Sequence, residues 1–274
     1  MIPMPGESYH GPLPPATDEL RALEHELRSY VHMLAGEIGE RNVFHYTQLV
    51  QAAEYIGKTL SEAGYEVARQ EYEVNEQICE NLEAEVRGTE RPDEIVLIGA
   101  HYDSVKGSPG ANDNATGVAA MLALARAFSQ TPASRTLRFV AFTNEEPPFF
   151  RSHHMGSRVY AKRSRQRAEN IILMLSLETI GYYSDEPGSQ SYVFPLHFFY
   201  PSTGNFIAFV SNVENGSLVR HLIKNFRQHA SFPSEGGALW GWVVRSLGLL
   251  ERRISRCYGD RYGVVSRFHL PHIS

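Results

Sequence analysis

The chain has 274 residues, 42% of them hydrophobic, with a formal net charge of -5, enough for one large α/β domain with a substantial core. Lysine and arginine are dispersed over most of the chain, which argues against a nucleic-acid surface or a polybasic membrane anchor. Only Cys79 and Cys257 occur, far apart, so neither a CxxC metal site nor a disulfide framework is expected.

The first residues, MIPMPGESYHGPLPPATDEL, lack a basic region followed by an apolar core, and no later run approaches the length of a membrane span, so a cytoplasmic location is expected. Five prolines within residues 1–16 preclude a regular element and predict a loose arm. Thr17 is placed to cap a helix from Asp18 to about Gly36, with Leu20, Leu23, Leu27, Tyr30 and Val31 as its apolar stripe. A second helix fits Tyr46 to Ala63 and stops at Gly64. Tyr65–Val74 and Asn81–Val86 then alternate as strands, an antiparallel edge hairpin expected beside the strand that starts at Ile95.

Residues 95–120, IVLIGAHYDSVKGSPGANDNATGVAA, hold the most informative pattern. Ile95–Ala100 is an apolar run of strand length, broken beyond by Gly107, Pro109 and Gly110, which places His101 and Asp103 at its carboxyl end. Residues two apart on a strand point the same way, so Asp103 is positioned to support the His101 imidazole from behind. Asp113 follows the glycines and opens a helix predicted from about Asn114 to Phe128. Two more strands repeat the arrangement: Thr136–Thr143 runs into Asn144, Glu145 and Glu146, and Ile171–Leu177 into Glu178. In open α/β sheets such strand ends face one crevice. Each residue alone reads as a polar strand end or a cap; together, one imidazole among carboxylates points to a cation site and favours zinc over calcium or magnesium. Two zinc ions sharing a bridging carboxylate would use Asp113, and the Glu145/Glu146 pair would supply one ligand and one general base.

Beyond Glu178, GYYSDEPGSQSY is a turn-rich candidate pocket wall, with Tyr182 and Tyr183 expected to pack. Phe206–Ser211 reads as a buried strand and Ser217–His229 as an amphipathic helix capped near Asn215. His153 and His154 are expected on a surface loop rather than in a specificity pocket. Asn114-Ala-Thr and Asn215-Gly-Ser match the glycosylation pattern by chance in the absence of a secretory signal.

The segments GAHYDSVKGSPGANDNATGVAAMLALAR, RTLRFVAFTNEE and MGSRVYA, with the strand ending in Glu178, resemble the co-catalytic zinc aminopeptidases, a family that includes bacterial leucyl aminopeptidase and relatives of glutamate carboxypeptidase. The resemblance spans roughly residues 40–235. It implies an α/β fold with a mixed, mostly parallel sheet and helices on both faces, and a peptidase domain over residues 17–239. It implies His101, Asp113 as the bridge, Glu146 and Glu178 as zinc ligands, Glu145 as general base, and Asp103 as the carboxylate behind His101. Many relatives carry Asp where this chain has Glu178. The implied reaction is removal of an amino-terminal residue from a peptide substrate, with two zinc ions; nucleic acid and membrane are not expected as partners. A one-zinc glutaminyl cyclase shares this architecture, and a catalytically inactive binding domain on the same scaffold is the other alternative.

The resemblance stops near Trp240. Relatives place a final zinc-binding His in a His-Thr-x-x-Asp setting, whereas residues 240–274 have six arginines, no lysine and no such motif. An atypical tail, frameshifted or truncated, without the regular pattern of strand and helix, is therefore expected. His269 and His272 are the histidines near the place of the missing ligand, with His272 the better substitute and an exposed tail histidine the plainer reading. Loss of that ligand would leave one zinc or none.

Overall fold

The computed structural model describes residues 4–192, 194, 196–239 and 262–266. Its strands are β1 (Ala68–Val74), β2 (Gln77–Val86), β3 (Arg91–His101), β4 (Arg135–Phe142), β5 (Asn170–Glu178), β6 (Ile207–Asn212), β7 (Ser234–Leu239) and β8 (Tyr262–Ser266). They form an eight-stranded sheet in the order β1-β2-β4-β3-β5-β8-β6-β7. The β4–β3, β3–β5, β5–β8 and β6–β7 pairs are parallel; β1–β2, β2–β4 and β8–β6 are antiparallel. The helices are α1 (Asp18–Val31), α2 (Tyr46–Glu62), α3 (Thr116–Phe128), α4 (Gly156–Gln166) and α5 (Gly216–His229).

Alternation along the central strands explains why helices cover both faces. On one side Ile98 and Ala100 of β3 and Phe139 and Ala141 of β4 pack with Ile56 of α2, Met121 and Leu122 of α3 and Ile223 of α5. On the other, Ile95, Leu97, Val140 and Phe142 pack with Tyr160 of α4. Strand residues one apart point to opposite faces, so a continuous apolar run is what a doubly covered strand requires.

The hairpin forms as expected, turning through Asn75 and Glu76 at φ 51° and 64°, the left-handed pair of a tight two-residue turn. Its neighbour differs from expectation: β2 pairs with β4, not β3. After Val86 the backbone runs alongside the start of β4, where Thr89 N–H donates to Ala133 O at 2.9 Å and Arg91 N–H to Ser134 O at 2.8 Å. A Cβ on Gly88 would lie 2.5 Å from the Arg135 carbonyl carbon, so the close crossing depends on this glycine. The chain thus enters β3 on the far side of β4.

Thr17 caps α1 as expected, its Oγ1 accepting from Leu20 N–H at 3.2 Å. The helix becomes a π-helical turn over His32–Ile38, because Leu34 O accepts from both Gly39 N–H and the Arg41 guanidinium. None of the α1 stripe is buried; Leu20, Leu23, Leu27 and Val31 border a groove of about 670 Å³ against Ala119, Ala120 and Ile180. α3 starts at Thr116 rather than Asn114, whose backbone is non-helical; the Asn114 Oδ1 accepts from Gly117 N–H at 3.1 Å.

Residues 4–16 contain no helix or strand, yet the arm is tied down: Ser234 N–H donates to Ser8 Oγ at 2.9 Å and Arg227 Nη1 to Gly6 O at 2.8 Å. The expectation that regular structure ends near residue 240 is also corrected, since Tyr262–Ser266 pairs with both β5 and β6. Cys257, His269 and His272 lie outside the described residues.

Candidate metal centre

Register sets the first pair of ligand-type residues. Gly99 on β3 lies opposite Ser176 on β5, so His101 and Glu178, each two residues farther along parallel strands, project side by side at the carboxyl edge. His101 Nε2 stands 3.4 Å from Glu178 Oε2. Ser176, on the same face as Glu178, donates from Oγ to its Oε1 at 3.0 Å.

The loop after β3 brings the third. Asp113 and Asn114 have non-helical backbone (φ/ψ -112°/93° and -136°/38°), and their peptide is cis. Asn114 is fully buried and spans two elements: Nδ2 donates to Leu177 O at 2.8 Å, and Oδ1 accepts from Gly117 N–H at 3.1 Å and Thr179 N–H at 3.2 Å. This ties the start of α3 to the end of β5, and Asp113 Oδ1 reaches 3.1 Å from His101 Nε2. Donor atoms of His101, Asp113 and Glu178 all lie within 4.8 Å of one another. His101 and Glu178 are 4% and 8% exposed, while 53% of the Asp113 side chain is exposed, so the cluster opens to solvent on one side.

Asp103 supports His101 less directly than expected. The His101 Nδ1–H donates to the Asp103 backbone oxygen at 3.1 Å, with the carboxylate at 3.4 Å. The carboxylate instead receives Glu145 N–H at 3.1 Å and Glu146 N–H at 3.0 Å, fixing the turn that follows β4. Asn144 makes that turn at φ 57°, a conformation its short amide tolerates.

Glu145 and Glu146 then diverge. Glu145 is 4% exposed, and its carboxylate receives Ser157 N–H at 2.6 Å and the Ser157 hydroxyl at 2.8 Å. Burial pushes its pKa up to about 8, against the pull of those hydrogen bonds. Glu146 rises to about 7, mainly by burial, opposed by His101 and reinforced by Asp113, Asp103 and Glu178. For His101, burial would favour the neutral ring, but Glu178, Asp103 and Asp113 outweigh it and hold the pKa well above the ordinary value.

The donor set fits zinc. With Nδ1–H committed to a carbonyl, the lone pair of Nε2 faces two carboxylate oxygens, which is unfavourable unless a proton or a cation lies between them. A borderline nitrogen donor with two carboxylates suits zinc, and an open side leaves room for a substrate.

A family model, "Peptidase family M28", matches residues 81–223. The chain belongs to peptidase family M28. Escherichia coli YfbL, an uncharacterized protein, is 37% identical over 206 residues, covering 72% of this chain and 62% of YfbL. Bacillus subtilis aminopeptidase YwaD is 37% identical over 107 residues, 39% of this chain and 22% of YwaD. The chain therefore spans less than two thirds of either relative. Among solved structures, the B. subtilis zinc aminopeptidase BSAP superposes with a TM-score of 0.69 at 12% identity, covering 90% of this chain and 87% of that one, a likeness of fold.

Other residues singled out in this M28 chain are not among the three converging donors. His153 and His154 lie against each other with ring centroids 3.9 Å apart and planes tilted by 54°, His154 edge-on to Phe149. Tyr183 packs edge-on against Phe232, and Tyr182 is 54% exposed. Asn114 and Asn215 are buried, which removes both glycosylation matches from solvent. The residues to which sequence reasoning gave no part in the site are Asn114, Ser157, Ser176 and Arg41. Ser157 lay within MGSRVYA, and Ser176 two residues before Glu178 on the same strand face; these were the available signals. Among the described residues no helix is long and apolar enough to cross a membrane.

Proposed function

We propose that this M28 chain is a zinc-dependent aminopeptidase hydrolysing amino-terminal peptide bonds, with the chemistry carried by residues 17–239. The supporting observation is the convergence of His101 Nε2, Asp113 and Glu178 within 4.8 Å, an arrangement that calls for a cation. The names of YwaD and BSAP support the exopeptidase part of the reading. His101, Asp113 and Glu178 would hold a zinc ion, and Glu146, whose carboxyl senses Asp113 and Glu178, would serve as a ligand if a second were bound. Zinc, when bound, supplies Lewis acidity toward the scissile carbonyl and toward an attacking water.

The chain's own residues do the rest. Glu145 accepts the proton of the attacking water and delivers it to the leaving amine; its raised pKa places it near the operating pH for both transfers. Ser157 holds that carboxylate from two donors, so its orientation does not depend on substrate. Asp103 fixes the Glu145–Glu146 turn through both backbone N–H groups and keeps Nε2 of His101 turned toward the ligand position through its carbonyl.

Hydrolysis of an aminoacyl anilide by the zinc-loaded chain, with Glu145→Gln alongside, tests the reading. The expected result is hydrolysis that drops by about 10²–10⁴-fold in the variant at unchanged zinc content, with amino-terminally acetylated substrate left intact. No hydrolysis by the zinc-loaded wild type, or equal rates in both chains, contradicts it. Cyclisation of an amino-terminal glutamine with one zinc bound would instead assign the cyclase chemistry.

A further inference from the structure

Arg41 heads the largest fully buried side chains among the described residues, at 0% exposure, and the chemistry above gives it no part. Its guanidinium donates only to carbonyls: Nε to Tyr102 O at 2.5 Å, Nη1 to Leu34 O and Gly39 O at 3.1 Å and to Pro109 O at 2.5 Å, and Nη2 to Gly110 O at 3.0 Å. A desolvated cation is tolerated only when its donors are met, and here they are met by three separate segments. Two of these adjoin the cluster. Tyr102 lies between His101 and Asp103, and Pro109–Gly110 leads into Asp113.

The backbone around Arg41 closes the same loop. Arg41 N–H donates to Ser104 Oγ at 3.1 Å, Ser104 N–H returns to Arg41 O at 2.9 Å, and Asn42 Nδ2 donates to Ser104 O at 3.1 Å. Gly110, at φ +59°, is so close that a Cβ there would lie 2.6 Å from both Asp113 O and Ser104 Cβ, and its carbonyl also accepts Ala115 N–H at 3.1 Å. One side chain therefore clasps both ends of the loop that separates His101 from Asp113.

We propose that Arg41 is a positioning residue for the metal centre: its forked contacts to Tyr102, Pro109 and Gly110 hold His101 and Asp113 at ligating separation before metal arrives. The inference rests on the zinc reading of the cluster. Its geometry, rather than its charge, is the active property, since a cation beside the site repels zinc while the fork fixes the ligands; only the planar guanidinium can meet carbonyls in several directions at once.

The test is zinc affinity of the metal-free full-length chain, measured by competition with a chromogenic chelator, in wild type and Arg41→Lys, beside the metal-free melting temperature of each. Lysine keeps the charge and loses the fork. The expected result is zinc binding by wild type, weakened about 10–100-fold in Arg41→Lys. Equal affinities overturn the inference, as does a melting temperature that falls while affinity holds, which would make Arg41 a structural strut only. If Arg41→Lys is unfolded without metal, Ser104→Ala is read in its place: weaker zinc binding at an unchanged melting temperature supports the inference, and unchanged affinity overturns it. A wild-type chain that binds no zinc overturns the zinc reading itself, and the inference with it.

Discussion

Glu145 and Glu146 are neighbours in sequence, yet the fold gives them different surroundings. Glu145 is held by the Ser157 N–H and hydroxyl at the start of α4, while Glu146 shares its field with His101, Asp113 and Glu178. Ser157→Ala keeps the backbone donor and removes the hydroxyl. That hydroxyl favours the ionised form, as a hydrogen bond to a charged group worth about 1.5–3 kcal/mol does, so its loss raises the Glu145 pKa. The acid limb of kcat/KM against pH is therefore expected to move up by about one pH unit or more; a limb that stays or moves down contradicts this. At this scale the sequence was partly legible. The residue types at the strand ends were visible because a ligand needs a particular atom, but Ser157 was hidden because a serine at a helix start reads as a cap.

Among elements, the site depends on α3 meeting the end of β5, and Asn114 makes that junction with three hydrogen bonds, two of them buried. Asn114→Ala removes all three and strands their backbone partners, so a loss of about 3 kcal/mol is expected in urea unfolding; a loss under about 1 kcal/mol would show that the junction is held elsewhere. Strands β3, β4 and β5 could be read directly because apolar runs bounded by glycine, proline or charge have few other interpretations. The pairing of β2 could not. Neighbours in a sheet are set by how the chain crosses at Gly88 and by the return of β4, neither of which leaves a periodic mark. Arg41 was illegible for a related reason: its acceptors are backbone carbonyls, which carry no side-chain signature, and those beside the cluster lie some 60 residues or more away, from Tyr102 to Gly110.

Across the whole molecule, packing carboxylates and an imidazole at one sheet edge makes stability depend on pH in the opposite sense to ordinary acid denaturation. In the metal-free chain Glu145 and Glu146 hold their protons up to about 8 and about 7, against an ordinary value of 4.5, and His101 holds its proton well above 6.5. The unfolded chain releases these protons earlier, so between about pH 5 and pH 8 the folded chain binds more protons and its stability falls as pH rises. Glu26, Glu40 and Glu169, whose pKa values are lowered, act below that window. The melting temperature of the chelator-treated chain is expected to fall from pH 5 to pH 8, with zinc restoring it at the upper end; a rise over that range, or no response to zinc, runs against the description of the site. The mixed sheet covered on both faces was legible from the alternation of apolar runs and amphipathic helices, whereas the strand at Tyr262–Ser266, remote in sequence from both its partners, was not.

Equilibrium dialysis of the metal-free chain against zinc, read by elemental analysis for wild type and Glu178→Ala, tests the metal centre most directly. Wild type is expected to retain zinc, and the variant, which loses one of the three converging donors, to bind it at least about tenfold more weakly. A wild-type chain without zinc, or equal retention by both, would mean that the ends of β3 and β5 do not form a metal site.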